Sequence, residues 1–363
     1  MSYSINPLLG NRLIPVDIVL MPEWWNKNEG ICFDPDFFYH PLKRVETEQQ
    51  KEKILYERWG AYGLGNQKDL PRPEVGAVHL AAGFLLSEML GCEVQYSDAH
   101  PPVVLPAHQE LSNVDVEKAF RSDAFRKVVD LTDKLQSKFG YLSGDINWGG
   151  ILNIAMDLRG EDIFMDMMLQ PEETHAYFQS IAVVIGQFTD YLQQRTGSTS
   201  VSVNRVVRHL DKPILLHSEC SHTMISEEDY EQFLLPFDIE WSRKRPFGIH
   251  YCGNDPHRMA KAFAKIPHLD FLDVGWGGDV KILREHLPET FLNIRLSPVE
   301  LAKQSNEEIR STITRLVQDS GNPYLTGVCC INIDDKVGDD KIDTIFKTVE
   351  ELRKESLSAI STK

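Results

Sequence analysis

From about residue 110 onward the chain alternates between two kinds of hydrophobic pattern. Residues 114–139 space Phe120, Phe125, Val128, Val129 and Leu131 among charges at helical intervals, and Asp115 near the start suits a helix dipole. A second long helix is predicted over residues 172–195, opened by Pro171 and closed by Gly197. Short apolar runs of strand length then recur at 213–217, 247–252, 269–274, 291–295 and 324–329. Between them lie helix-like segments at 227–243, 256–264, 279–285 and 298–318, whose lengths suit the crossover helices of a parallel sheet. A succession of such units implies at least half of an α/β barrel.

An open doubly wound sheet would show the same alternation, but no glycine-rich phosphate fingerprint follows an early strand. The polar residues instead gather at the far ends of the runs: His217, Ser218 and Glu219, then His250 and Cys252, then Asp273, Arg295 and Cys329. In a closed barrel those ends share one rim, where such folds place their chemistry. The expected fold is therefore a (βα)8 TIM barrel.

The first hundred residues are less regular. Residues 15–21 suit a first strand, 46–59 a charged amphipathic helix, and 77–90 a more apolar helix ending at Gly91. The cluster Trp24, Trp25, Phe33, Phe37, Phe38 and Tyr39 reads as core filler beneath a long loop, or as the cover of a barrel end or a subunit contact of a homodimer. No repeat or linker marks a boundary, so residues 1–363 are read as one domain with about 1–75 as an aromatic-rich N-terminal extension and first elements.

Composition narrows the partners. Acidic residues outnumber basic ones by 54 to 38, a formal charge of −16, which disfavours a hold on nucleic acid or on anionic lipid. The N-terminus lacks the basic start and apolar run of a secretion signal, and no stretch approaches the ~18 apolar residues of a membrane span. A cytoplasmic location is expected, where six cysteines in so long a chain stand as free thiols.

The most informative segment is His250-Tyr-Cys252-Gly-Asn254. Residues two apart on a strand point the same way, so His250 and Cys252 can face the barrel axis together and share one metal ion. Cys329, at the tip of the last predicted strand, is placed to supply a third ligand; the adjacent Cys330 competes for that role, and alternation sends only one of them inward. Two thiolates and an imidazole select zinc and leave a fourth position for a substrate thiol. The competing reading is that buried free cysteines are small hydrophobes. Asp273 could orient His250 or fill the fourth position, and Glu219 could be a general acid or base, a ligand's hydrogen-bond partner, or an anchor of its loop.

The stretch from Glu219 through Ser226 to Pro236, together with Asp157-Leu-Arg-Gly160 and Pro171-Glu172, resembles the uroporphyrinogen decarboxylase superfamily from about residue 77 to the end. Within it, His250-x-Cys252-Gly-Asn254 is similar to the zinc-dependent methylcobamide:coenzyme M methyltransferases, whose third ligand maps onto Cys329. The resemblance implies a (βα)8 barrel, a zinc-held thiol acceptor, and a methylated corrinoid (cobalamin) carried by a partner corrinoid protein, with Asn254 against a corrin or substrate edge. The departures argue against porphyrin decarboxylation: residues 15–24 offer no arginine to clamp propionates, the decarboxylases' aspartate would fall near Ala82, and their tyrosine at Met156. Glu219 in the acidic position and the N-terminal aromatic stretch leave the acceptor open, so demethylation of a small methylated donor is a second direction. The other readings are a decarboxylase or lyase acting on a different acid, and a non-catalytic corrinoid or tetrapyrrole binder.

Overall fold

The computed structural model describes residues 12–68, 83–144, 146–197 and 213–361, with a few single positions besides. They group into two compact units, Met1–Leu20 with Ser202–Lys363, and Met21–Val201. The expected equivalent of the decarboxylase aspartate, Ala82, and the first part of the helix expected over 77–90, residues 77–82, lie outside the described residues; the described remainder contains the short helix Leu85–Met89.

The first unit is built on strands β1 (Val16–Leu20), β4 (Leu215–Ser218), β5 (Phe247–His250), β6 (Leu269–Val274), β7 (Phe291–Arg295) and β8 (Thr326–Ile333), while β2 (Glu93–Gln95) and β3 (Val103–Leu105) belong to the second. The six form one parallel sheet in the order β1-β8-β7-β6-β5-β4. Every residue of β1, β4, β5 and β7 is buried, which is why these strands are mainly apolar on both faces, with their polar residues also buried. Among the described residues this is an α/β fold with six neighbouring strands of a barrel-like sheet.

Crossover helices follow the expected order, with breaks where local chemistry demands them. The segment expected as one helix over 227–243 is two, Glu227–Phe233 and Leu235–Lys244, because Pro236 has no N–H to continue the first. That over 114–139 is interrupted before Ser122, whose hydroxyl accepts from the Phe125 amide and caps Asp123–Phe139. A long C-terminal helix, Asp339–Ser361, follows β8.

In the second unit the long helix Pro171–Thr196 ends at Gly197 with φ 76°, a left-handed turn that glycine adopts without steric cost. The aromatic cluster is core: Trp24, Trp25, Phe33, Phe37 and Phe38 are all buried. The helix Pro41–Trp59 packs the buried charges Arg44, Glu48 and Lys51 against them. None of the helices of the described residues is long and apolar enough to cross a membrane.

Candidate active site

The strand register aligns the chemistry. Ser218, His250, Asp273, Asn293 and Gly327 pair in turn across β4 to β8 and share one layer. Two residues further toward the C-terminal ends, Arg295, Cys329 and Asp17 pair in the next layer with the same facing. Cys220 and Cys252 each lie two residues beyond the Ser218–His250 pair, so the register brings their side chains to one level.

The loops after β4, β5 and β6 are pinned together there. A side chain on Gly253 would lie 2.1 Å from the Thr223 methyl, and one on Gly275 would lie 1.6 Å from the Gly253 carbonyl oxygen, so glycine at 275 is what lets the loops after β5 and β6 approach so closely.

The cluster that results is Cys220, His250 and Cys252, whose ligand atoms all lie within 4.8 Å of one another. The two sulfurs are 2.8 Å apart, and His250 Nε2 is 2.7 Å from the Cys252 sulfur. The Cys220 hydrogen bond holds Cys252 well below the usual thiol range, and the charges of His250 and Arg295 act in the same direction against burial. The same shared hydrogen bond, with burial, pushes Cys220 well up. Of the two thiols, Cys252 is the more acidic and Cys220 the less.

Asp273 completes the imidazole's environment: its Oδ2 is 2.7 Å from His250 Nδ1, and its Oδ1 accepts from the Asn293 amide at 2.6 Å. Burial alone would lower His250, but the Cys252 charge and the Asp273 hydrogen bond raise it to about 9. With Nδ1 committed to Asp273, Nε2 is the nitrogen that faces the sulfurs.

Of the residues expected to hold a metal, His250 and Cys252 are brought together and Cys329 is not part of their group. The third member of the group is Cys220, which the sequence reading passed over. Cys329 is fully buried in a core cluster with Leu216, Phe271 and Phe291, and burial pushes its thiol well above the usual range. It remains on the inward layer beside Arg295, while the Cys330 sulfur lies 3.7 Å from the Leu296 carbonyl oxygen. The signal for Cys220 is in the sequence only once His217-Ser-Glu-Cys220 and Ile249-His-Tyr-Cys252 are laid side by side in register.

Glu219 is fully buried and caps the short turn Cys220–Met224, its Oε1 accepting from the Ser221 amide at 3.2 Å. Its other oxygen lies 3.6 Å from His217 Nε2, and His217 Nδ1 lies 2.7 Å from Asp238, to which Tyr230 also donates at 2.6 Å. The loop holding Cys220 is therefore tied to a buried ionic wall. Asn254 is exposed on the loop after β5 and packs its Cα and Cβ against Gly277.

Two sulfurs and an imidazole, oriented by a carboxylate behind it, are the donor set of an open zinc site. The set suits zinc better than a hard cation, which would need oxygen ligands.

Comparison with known proteins gives three findings. Residues 77–352 match the family described as Uroporphyrinogen decarboxylase (URO-D). No curated protein matches the sequence. Among solved structures, a methyltransferase from Methanosarcina mazei is similar at TM-score 0.66 and 13% identity over 94% of each chain. A B12-independent methionine synthase from Shewanella sp. W3-18-1, in complex with selenomethionine, is similar at TM-score 0.51 and 10% identity, over 98% of this chain and 100% of that one. At these identities the two structures establish a shared fold.

Proposed function

Because the chain belongs to the uroporphyrinogen decarboxylase family, we propose that it is a zinc-dependent methyltransferase on a closed eight-stranded barrel, moving a methyl group between a corrinoid on a partner protein and a thiol or small methylated substrate. The observation that carries this reading is the convergence of Cys220, His250 and Cys252 at the C-terminal ends of neighbouring parallel strands. The naming of both structural neighbours for methyl chemistry supports it.

His250 and Cys252 would hold the metal, with Cys220 as the third ligand by proximity and Cys329 by resemblance. When bound, zinc supplies Lewis acidity that makes a substrate sulfur nucleophilic at neutral pH. Asp273 and Asn293 fix the His250 ring, and Glu219 with His217 and Asp238 anchors the Cys220 loop. In the thiol direction the substrate S–H proton goes to solvent and a sulfur–carbon bond forms. A methylated corrinoid, as co-substrate, would supply the methyl group and keep the electron pair of the bond it gives up.

The test is the demethylation of methylcobalamin followed by its visible spectrum, with a panel of thiols and zinc-loaded protein. Thiol-dependent turnover lost in Cys252→Ser is expected; no turnover with any thiol would overturn the corrinoid reading. Zinc content of Cys220→Ser and Cys329→Ser assigns the third ligand, since only the true ligand's loss releases the metal. The B12-independent neighbour favours a second reading, a methyl donor without cobalt at the same sulfur site. It predicts thiol binding with no effect on methylcobalamin.

A further inference from the structure

The two sulfurs that meet at 2.8 Å ride on different loops, Cys220 on the turn Cys220–Met224 after β4 and Cys252 just past the end of β5. Strand register fixes where the loops leave the sheet, at the paired residues Ser218 and His250. It does not fix how closely the Cys220 turn returns to its neighbour. The last carbonyls of so short a turn have no helical partner of their own, so something else must hold them.

Arg258 supplies that second constraint. It lies beyond Cys252 in the same loop, on the short turn Pro256–Met259. Its Nη1 donates to the Ile225 carbonyl oxygen at 2.7 Å, and its Nη2 donates to the carbonyl oxygen of His222. Both acceptors belong to the Cys220 turn or its end. On the other side Nε faces Asp255 at 3.0 Å, and Asp255 accepts from the Tyr251 hydroxyl at 2.8 Å. Tyr251 stands between His250 and Cys252, and its ring stacks on the His222 ring at 5.7 Å between centroids and 5° from parallel.

The guanidinium thus clasps the backbone of one sulfur's loop and a carboxylate of the other's. A planar fork of donors can serve such acceptors at fixed angles, which the single ammonium of lysine cannot. These partners are carbonyls and a carboxylate, so what Arg258 does for the sulfurs it does through position. With 28% of its side chain exposed, it also sits where a substitution disturbs the fold less than one in the core.

We propose that Arg258 is a positioning residue of the sulfur site: by clasping the Cys220 turn to the loop after β5, it holds the Cys220 sulfur within reach of an ion bound by His250 and Cys252. This rests on the zinc reading of the site and deepens it, because it makes Cys220 the third ligand and gives the reason it is in place.

The test is zinc affinity by competition with a chelator, beside urea unfolding of the same proteins. Arg258→Ala should bind zinc about ten- to hundredfold more weakly while unfolding at nearly the wild-type urea concentration. Arg258→Lys, which keeps the charge and can reach one carbonyl, should fall between; should Arg258→Ala not fold, Arg258→Lys carries the comparison. The readout that a merely structural residue would not move is the double variant: once Cys220→Ser has removed the ligand, the change at Arg258 should weaken zinc no further. Cobalt(II) in place of zinc reports the same event, since the Arg258 variant should lose thiolate-to-cobalt absorption as Cys220→Ser does. Additive losses in the double variant would overturn the proposal, as would unchanged affinity in the Arg258 variant or in Cys220→Ser. If the wild type binds neither zinc nor cobalt, the metal reading falls and the clasp is read without metal. Diamide, as the oxidant, should then close a Cys220–Cys252 disulfide, seen as a cross-linked peptide by mass spectrometry, and more slowly in the Arg258 variant. Equal closure in both would overturn the clasp as well.

Discussion

Two regions of this molecule bury charge completely, and they do so in opposite ways. In the second unit, Arg44, Glu48 and Lys51 are spaced along one face of the helix Pro41–Trp59. Lys51 Nζ lies 3.1 Å from Glu48 and Arg44 lies 4.0 Å from it, under the rings of Trp25, Phe33 and Phe37. A single turn pattern brings those charges together with rings that favour the cations. In the first unit, Cys220, His250, Asp273 and Arg295 come from four strand ends or the loops just beyond them. Charge buried along one helix face is brought together by local spacing alone; charge gathered from several strands is brought together by the sheet register.

The largest effect should come from breaking the self-contained group. Glu48→Gln would leave two buried cations without their shared carboxylate and should cost about 3–5 kcal/mol in urea unfolding. A loss no greater than for an exposed carboxylate would show that the aromatic cage, not Glu48, holds the cations.

The ionic wall behind Cys220 lies between the two extremes. Burial alone would lower His217, but the Asp238 charge and hydrogen bond, with Glu219 behind them, raise it to about 9. An unfolded histidine titrates near ~6.5, so the stabilisation is fully present below that pH and is lost as pH rises through about 9. The amount is on the order of 3 kcal/mol. Unfolding measured across that window should show the fall in wild type and a much flatter line in Asp238→Asn. A parallel slope in both would mean that His217 owes its charge to Glu219.

What the sequence disclosed follows the same division. The strands β6 and β7 were legible residue for residue, because a short, mainly apolar run between helix-like segments has few other places to go. His250 and Cys252 were legible as a pair because their relation is local, two residues apart on one strand. Cys220 was not, since its meeting with Cys252 depends on the register of two strands separated by a helical crossover. Cys329 shows the converse limit: its inward facing could be read from alternation, whereas its company of Leu216, Phe271 and Phe291 could not.

The smallest expected effect probes the link between imidazole and carboxylate. Asp273→Asn keeps the size of the side chain and a partner for Asn293, so it should leave folding nearly unchanged. It removes the anion that fixes which His250 nitrogen faces the sulfurs. Such partners are worth about 10–100-fold in metal affinity, or about 1.4–2.7 kcal/mol. Competition for zinc against a chelator would measure it. If Asp273→Asn binds zinc as tightly as wild type while unfolding much more readily, then Asp273 belongs with Glu48 as a buried charge that serves the fold. Weakened zinc with intact folding would place it instead among the groups that strand convergence has put to chemical use.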